Sequence, residues 1–271
     1  MKIIMSHDVD HITAWEHKYD LIIPKLFIRA FIEYYLGYTS WSEIVGRFRG
    51  VFRNKLQNLE ELMQFDKENL IPSTFFVGVS NGLRLNYSIR NAEIWIQKIM
   101  NEGFDVGVHG MPHDNLDDFK RDYEVFGRIS CSSSFGVRMH YLSGDNRTMG
   151  FLGKANYLFD SSEAVMKNPY KINGMWEFPL HIMDGHITNK NSKWQNKNLE
   201  QCLDLTKRVL DEGFREDIQY FTILYHDDSF SDSYKTAKEW YMWLIRYLQE
   251  SQLEFTNYKN AIEDLEGENN Q

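Results

Sequence analysis

The sequence predicts an α/β protein whose parallel strands curl into a barrel, and three observations carry that expectation. Short apolar runs alternate with segments of helical periodicity, the pattern of βαβ units. Several of the runs stop at a His or an Asp, and barrels of this kind gather their chemistry at the C-terminal ends of the strands. A chain of 271 residues, 42% of them hydrophobic, has the ordinary length for one α/β barrel and enough apolar side chain for a large core.

Lys2 to Met5 reads as a buried strand running into charged residues. Residues 20–69 read as mostly helical, with Leu56, Leu59, Leu62, Met63 and Phe65 as a core stripe. The apolar stretch Leu21 to Tyr38, broken by Pro24, Lys25, Arg29 and Glu33, reads as a buried helix ahead of the alternative, a segment that approaches membrane lipid. Pro72 introduces a strand, Ser73 to Val79, and a helix follows from Ser88 to Glu102, with Ile89, Ala92, Ile96 and Ile99 at helical spacing and Gly103 just past its end. A strand from Asp105 to Val108 runs into His109, then a helix covers Asn115 to Ile129. Gly136 to Leu142, Tyr157 to Asp160 and Trp176 to Met183 read as short strands. Leu199, Cys202, Leu203, Thr206 and Leu210 mark a helix closed by Gly213, and Phe221 to Tyr225 is a strongly β-prone run that stops at His226. A helix over Ala237 to Leu248, a strand at Glu254 to Thr256 and a closing helix complete one domain over 1–271, with a helical insertion at about 12–69 and a frayed tail, Glu266 to Gln271.

The net charge of −9 and pI near 5.5 argue against nucleic acid as a partner. Cys131 and Cys202 form no Cys-x-x-Cys pair, so neither a disulfide framework nor a thiolate zinc site is expected. The start MKIIMSHDVDH is too quickly charged for a signal peptide, and no uninterrupted apolar stretch is long enough to span a bilayer. The expectation is a cytoplasmic protein without stable membrane insertion, its oligomeric state open. Aromatics make up 15% of the chain and serve equally as core and as flat surfaces for sugar rings.

Four motifs carry chemistry. His109 and His113 are four apart, but Gly110 and Pro112 between them disfavour a helix, so the pair belongs to a loop leaving a strand. Asp8 and Asp10 end the first strand; one can bind a divalent ion while the other acts as a base, or both can serve a metal-dependent glycosyltransferase. His226, where an apolar strand opens, suits a general acid because its pKa lies near working pH, although a single such histidine is more often structural. Arg138 can orient a carboxylate through a charge-assisted hydrogen bond, and Asp160 can orient a histidine or simply form a turn. His17, His181 and His186 have no supporting pattern and read as surface or core residues.

Taken in order, Asp8/Asp10, His109/His113, Arg138, a segment near Asp160 to Pro179 and Leu224-Tyr225-His226 resemble the polysaccharide deacetylase family, the NodB-homology group also known as carbohydrate esterase family four. The resemblance spans about residues 1 to 260 and includes Ser73-Thr-Phe-Phe-Val77. Val9 separates the two aspartates, and His140 stands where the family commonly has proline. The resemblance implies a distorted (β/α)7-type barrel and metal-dependent removal of an N-acetyl group from an amino sugar in a cell-surface polysaccharide or its lipid-linked or nucleotide-linked precursor. It implies Asp10, His109 and His113 as ligands of a divalent metal, zinc above all, with Asp8 as base, Arg138 holding Asp8, and His226 protonating the leaving amine. Tyr141, Asp160 and Trp176 are the candidates for holding the sugar. A non-catalytic carbohydrate-binding relative is the alternative.

Overall fold

The computed structural model describes residues 1–189 and 195–268. In chain order its elements are β1 (Lys2–Val9), α1 (Ile22–Tyr35), α2 (Trp41–Phe52), α3 (Leu59–Glu68), β2 (Thr74–Val77), α4 (Ile89–Asn101), β3 (Asp105–Gly110), α5 (Leu116–Ser130), β4 (Val137–Met139), α6 (Asn146–Lys154) and β5 (Phe159–Asp160). There follow β6 (Tyr170–Ile172), β7 (Met175–Glu177), β8 (Leu180–Met183), α7 (Asp184–Thr188), α8 (Leu199–Arg215), β9 (Tyr220–Leu224), α9 (Lys235–Glu250), β10 (Glu254–Thr256) and α10 (Tyr258–Glu268).

All ten strands join one curled sheet, ordered β6-β7-β5-β4-β3-β2-β1-β9-β8, with β10 on the N-terminal half of β1. Every pairing is parallel except the β6–β7 hairpin, and among the described residues β6 and β8 do not pair to close the barrel. The sheet is therefore a parallel-dominated half-barrel rather than a count of seven strand–helix units. The polar tail expected at its end divides: Glu266 lies within α10 and accepts from Lys171 and Trp176, while 269–271 lie outside the described residues.

Strand alternation explains how the inside of this half-barrel is built. Side chains two apart share a face, so β1 sends Ile3, Met5 and Val9 toward the helices and Ile4, Ser6 and Asp8 to the concave side. At the bottom of the concave side Ile4 packs with Phe76, Phe159, Phe178, Tyr220 and the α10 residues Tyr258, Ala261, Ile262 and Leu265. Above this plug the lining turns polar, and Arg138 spans it. Its Nε donates to the Ser161 carbonyl, its Nη1 to Ser6 and Asp8, and its Nη2 to Ser161 Oγ and Tyr258, so all five guanidinium N–H groups are used. The guanidinium also lies 4.6 Å above the Phe76 ring. Arg138→Met is expected to cost about 3–5 kcal/mol of stability, because it leaves Asp8 buried without its counter-charge; urea unfolding of the two proteins measures it, and a loss below about 1 kcal/mol rejects this role.

Gly213, expected to end a helix, sits inside α8, which turns out at Asp217 with φ +51°. The glycine is there for close approach: a Cβ at that position would lie 2.6 Å from the Phe221 ring of β9. The helices expected within 20–69 form as α1, α2 and α3, but α1 is not buried as expected. Its inward side carries Ala30 and Glu33, and Pro24, Ile28, Phe31 and Tyr35 face outward. Glu33 accepts from Arg29 at 2.7 Å and from Arg47 of α2 at 2.6 Å, which pins the two helices together. Arg47 also donates to the Ser233 carbonyl at 3.1 Å and stacks on Tyr234, anchoring the hairpin to the segment before α9. Three elements that the periodicity did not suggest are α6, β6 and α7.

Candidate functional site

The strands β4, β3, β2 and β1 lie side by side in that order, and their register sets the site. His109 pairs with Arg138 and Gly110 with Met139, so His140, one residue past β4, emerges beside the end of β3. His109 Nδ1 lies 3.1 Å from the Arg138 carbonyl, to which it can only donate, leaving Nε2 as an acceptor. His140 Nε2 lies 3.2 Å from the Leu83 carbonyl, which in the same way leaves Nδ1 as an acceptor. These two ring nitrogens are 3.0 Å apart, and Asp10 Oδ1 is 3.1 Å from the first and 3.4 Å from the second. Three acceptor atoms thus face one another at the C-terminal end of the sheet.

Such a cluster needs positive charge at its centre. A proton on His109 satisfies one of the contacts, whereas a divalent cation satisfies all three. Ligands about 2.0–2.2 Å from a tetrahedral zinc stand about 3.3–3.5 Å apart, close to the spacings here. Each histidine also donates its second N–H to a backbone carbonyl, the arrangement that fixes ring orientation in metal sites. The residues present fit a divalent ion, with Asp10, His109 and His140 as its holders. The local charges agree: burial opposes a charge on Asp10, but its close contacts with His109 and His140 and the charge of His226 hold its carboxyl well below the usual range. Burial likewise opposes a proton on His109, and Asp8 and Asp10 together raise its pKa.

His113 stands elsewhere. Its Nε2 bonds Asp122 of α5 at 2.6 Å and its ring meets Phe119 edge-on, while the other oxygen of Asp122 accepts from Ser80. Where the resemblance implied His113 as third ligand, the structure brings His140 beside Asp10 and His109 and sets His113 on Asp122. Asp8 makes the ion pair with Arg138 at 3.2 Å, but it lies behind His109, with Oδ2 3.9 Å from Nδ1. His226 does reach the site: its Nε2 is 3.9 Å from Asp10 Oδ2. The carboxylate of Asp184, the first residue of α7, clamps it, accepting from Nδ1 at 2.7 Å and from the backbone N–H at 3.1 Å. Burial would lower the pKa of His226; the charge and hydrogen bond of Asp184, with Asp10 and Asp8 beyond, raise it well above its ordinary value.

Asp160, expected either to orient a histidine or to hold sugar, is buried and pairs with Ser162 and Glu177. Burial and the neighbouring Asp160 push Glu177 up to about 10, so this carboxyl pair holds a proton. Trp176 is buried on β7, its Nε1 donating to Glu266 and its ring under Lys171. Only Tyr141 of the three sugar-binding candidates lines the cleft; it is exposed, at φ +57°, with its ring 4.0 Å from that of His140. His17 is buried against Asp20 and His181 is stacked on Phe221, both structural partnerships.

The cleft beside the cluster encloses about 810 Å³. Asp10, His11, His140 and Tyr141 line it together with four cations, Lys25, Arg29, Lys55 and Arg84. Asp228 also lines it, and burial pushes that carboxyl up to about 6. His140, Asp184 and Asp228 are the residues the motifs did not single out.

The fold is shared with known structures. A "putative polysaccharide deacetylase" from Mycobacterium smegmatis superposes with a TM-score of 0.68 over 99% of this chain and 91% of that one, at 14% identity. A GH57-type branching enzyme from the archaeon Pyrococcus horikoshii aligns with a TM-score of 0.51 over 97% of this chain and 70% of that one, at 9% identity. No protein-family model matches the chain, and no curated protein sequence matches it. At these identities the likeness defines a class of fold, the curled, parallel-dominated α/β sheet with helices around it.

Proposed function

We propose that the protein is a metal-dependent hydrolase that removes an N-acetyl group from an amino sugar. The observation that carries this reading is the convergence of Asp10, His109 and His140 at the strand ends, next to a histidine held in its charged form by Asp184. The proposed cofactor is a divalent ion, zinc by its donor set of two imidazoles and a carboxylate. Such an ion supplies a Lewis acid that polarises the amide carbonyl and makes a water more acidic.

The chain's own residues supply the rest. An amine departs poorly as an anion, and His226, kept protonated by Asp184, delivers the proton that lets it leave. The proton of the attacking water goes to Asp228, a carboxylate that lines the cleft and titrates near 6. Asp8, assigned as base by resemblance, becomes a positioning residue here: from its place behind His109 it steers that ring while Arg138 fixes its own carboxylate. Activity is accordingly expected to rise as pH increases through about 6, where Asp228 loses its proton. Asp228→Asn should flatten that acidic limb, and a limb unchanged in the variant rules Asp228 out as the base.

Tyr141 offers a ring for the sugar, and the cations that line the cleft favour a substrate with an anionic link, as in a nucleotide- or lipid-linked precursor. The direct test is acetate release from N-acetylated sugars, free and linked through a diphosphate, by zinc-loaded protein. Acetate release abolished by chelation and restored by metal supports the reading. Sugar binding without acetate release from any of them supports the non-catalytic alternative.

A further inference from the structure

The hairpin of α1 and α2 is inside out. Positions 24, 28, 31 and 35 fall on one side of a helix of 3.6 residues per turn, and here they are Pro24, Ile28, Phe31 and Tyr35, all exposed to solvent. The opposite side of α1 buries Glu33, which pairs with the half-exposed Arg29 and with the buried Arg47 of α2. On α2, Trp41, Val45 and Phe52 share an exposed side in the same manner. The two stripes meet at Tyr34 and Trp41, whose rings touch edge-on at 5.8 Å. Of eighteen large apolar side chains exposed among the described residues, twelve lie between Trp15 and Phe52, and Tyr35 and Phe52 are 89% and 83% exposed. A patch of this kind on a soluble face marks a docking surface.

Charge identifies what docks. Residues 22–55 carry six Lys or Arg and two Glu, a net of +4, in a chain whose total is −9. Between residues 15 and 55 every exposed charged residue is a cation: Lys18, Lys25, Arg49 and Arg53. A second copy of the chain would oppose these cations with themselves across a two-fold axis. Trp, Tyr and Phe flanked by Lys and Arg is instead the composition that settles into the headgroup region of an anionic bilayer. No helix among the described residues is long and apolar enough to cross a membrane, so the contact is peripheral. We propose that the α1–α2 hairpin docks on the surface of an anionic lipid membrane. Because Lys25 and Ile28 also line the cleft, docking brings its mouth to that surface. The inference does not depend on the hydrolase reading.

Flotation of the full chain with vesicles of phosphatidylcholine, with and without phosphatidylglycerol, tests it. The expected result is binding to the anionic vesicles that weakens as salt is raised. Reversing two charges in Arg49→Glu/Arg53→Glu is expected to weaken it by about tenfold or more, and Phe31→Ser/Tyr35→Ser should weaken it comparably. Both pairs are solvent-exposed, and circular dichroism and thermal melting check that the variants fold as the parent does. A readout without those variants is Trp41 fluorescence, expected to be quenched by brominated lipid and to lose that quenching in Trp41→Phe. Absence of binding to anionic vesicles, binding indifferent to both double substitutions, or a stable dimer in solution that shields Trp41 would each overturn the proposal.

Discussion

Replacing His140 by alanine should abolish stoichiometric zinc binding and lower kcat/KM by about a thousandfold or more, a loss of about 4 kcal/mol in transition-state stabilisation. His109→Ala should do the same, since each ring contributes one of the three acceptors that face the centre. His113→Ala should leave the zinc content at the parental value. Its cost falls on stability instead, about 1–3 kcal/mol, because Asp122 loses the donor at 2.6 Å. Metal analysis after dialysis, with thermal melts of the same samples, separates the three variants. Zinc lost in His113→Ala and kept in His140→Ala would reverse the assignment.

The second large effect concerns the acid. His226→Ala is expected to reduce turnover of an N-acetyl substrate by about a hundredfold to ten-thousandfold. An O-acetyl substrate should suffer less, because an alkoxide departs more readily than an amide anion and depends less on the proton. The pH profile gives an independent reading. His226 must carry its proton to act, so activity falls as pH rises through its raised pKa. Asp184→Asn removes the leading support of that raised value, and the alkaline limb should move to lower pH. An alkaline limb unmoved by Asp184→Asn would show that another group sets it.

Much of this architecture is legible in the sequence wherever a signal is local. β1, β3 and β9 are apolar runs that stop at Asp or His, and α4 and α9 have long helical stripes, so their placement needs no tertiary information. β6 is three residues with only partly buried or exposed side chains, and α7 is a single turn and a half; neither leaves a periodic trace. The inverted face of α1 shows the limit of periodicity itself. Spacing reports that one side of a helix is apolar, but which side meets the core depends on Arg29 and Arg47 finding Glu33 across the hairpin.

The site divides along the same line. Asp10, His109 and His226 are readable because each ends a strand. The spacing of His109 and His113 suggests one site, yet Asp122 sits nearly two turns into α5, close enough to take His113 away from it. His140 joins the cluster only because β4 lies against β3 in a register that sets Arg138 beside His109. The trace of it in the sequence is slight, a histidine two residues beyond an arginine at a strand end. Asp184 and Asp228 offered still less, since their roles follow from α7 and the segment after β9 folding toward the same strand ends.

A crystal structure of zinc-loaded protein, with data at the zinc absorption edge, tests whether Asp10, His109 and His140 form a metal centre. The expected result is one anomalous peak about 2.0–2.2 Å from Asp10 Oδ1, His109 Nε2 and His140 Nδ1, with His113 still on Asp122. An ion held by His113, or a site left without zinc at saturating metal, would contradict it.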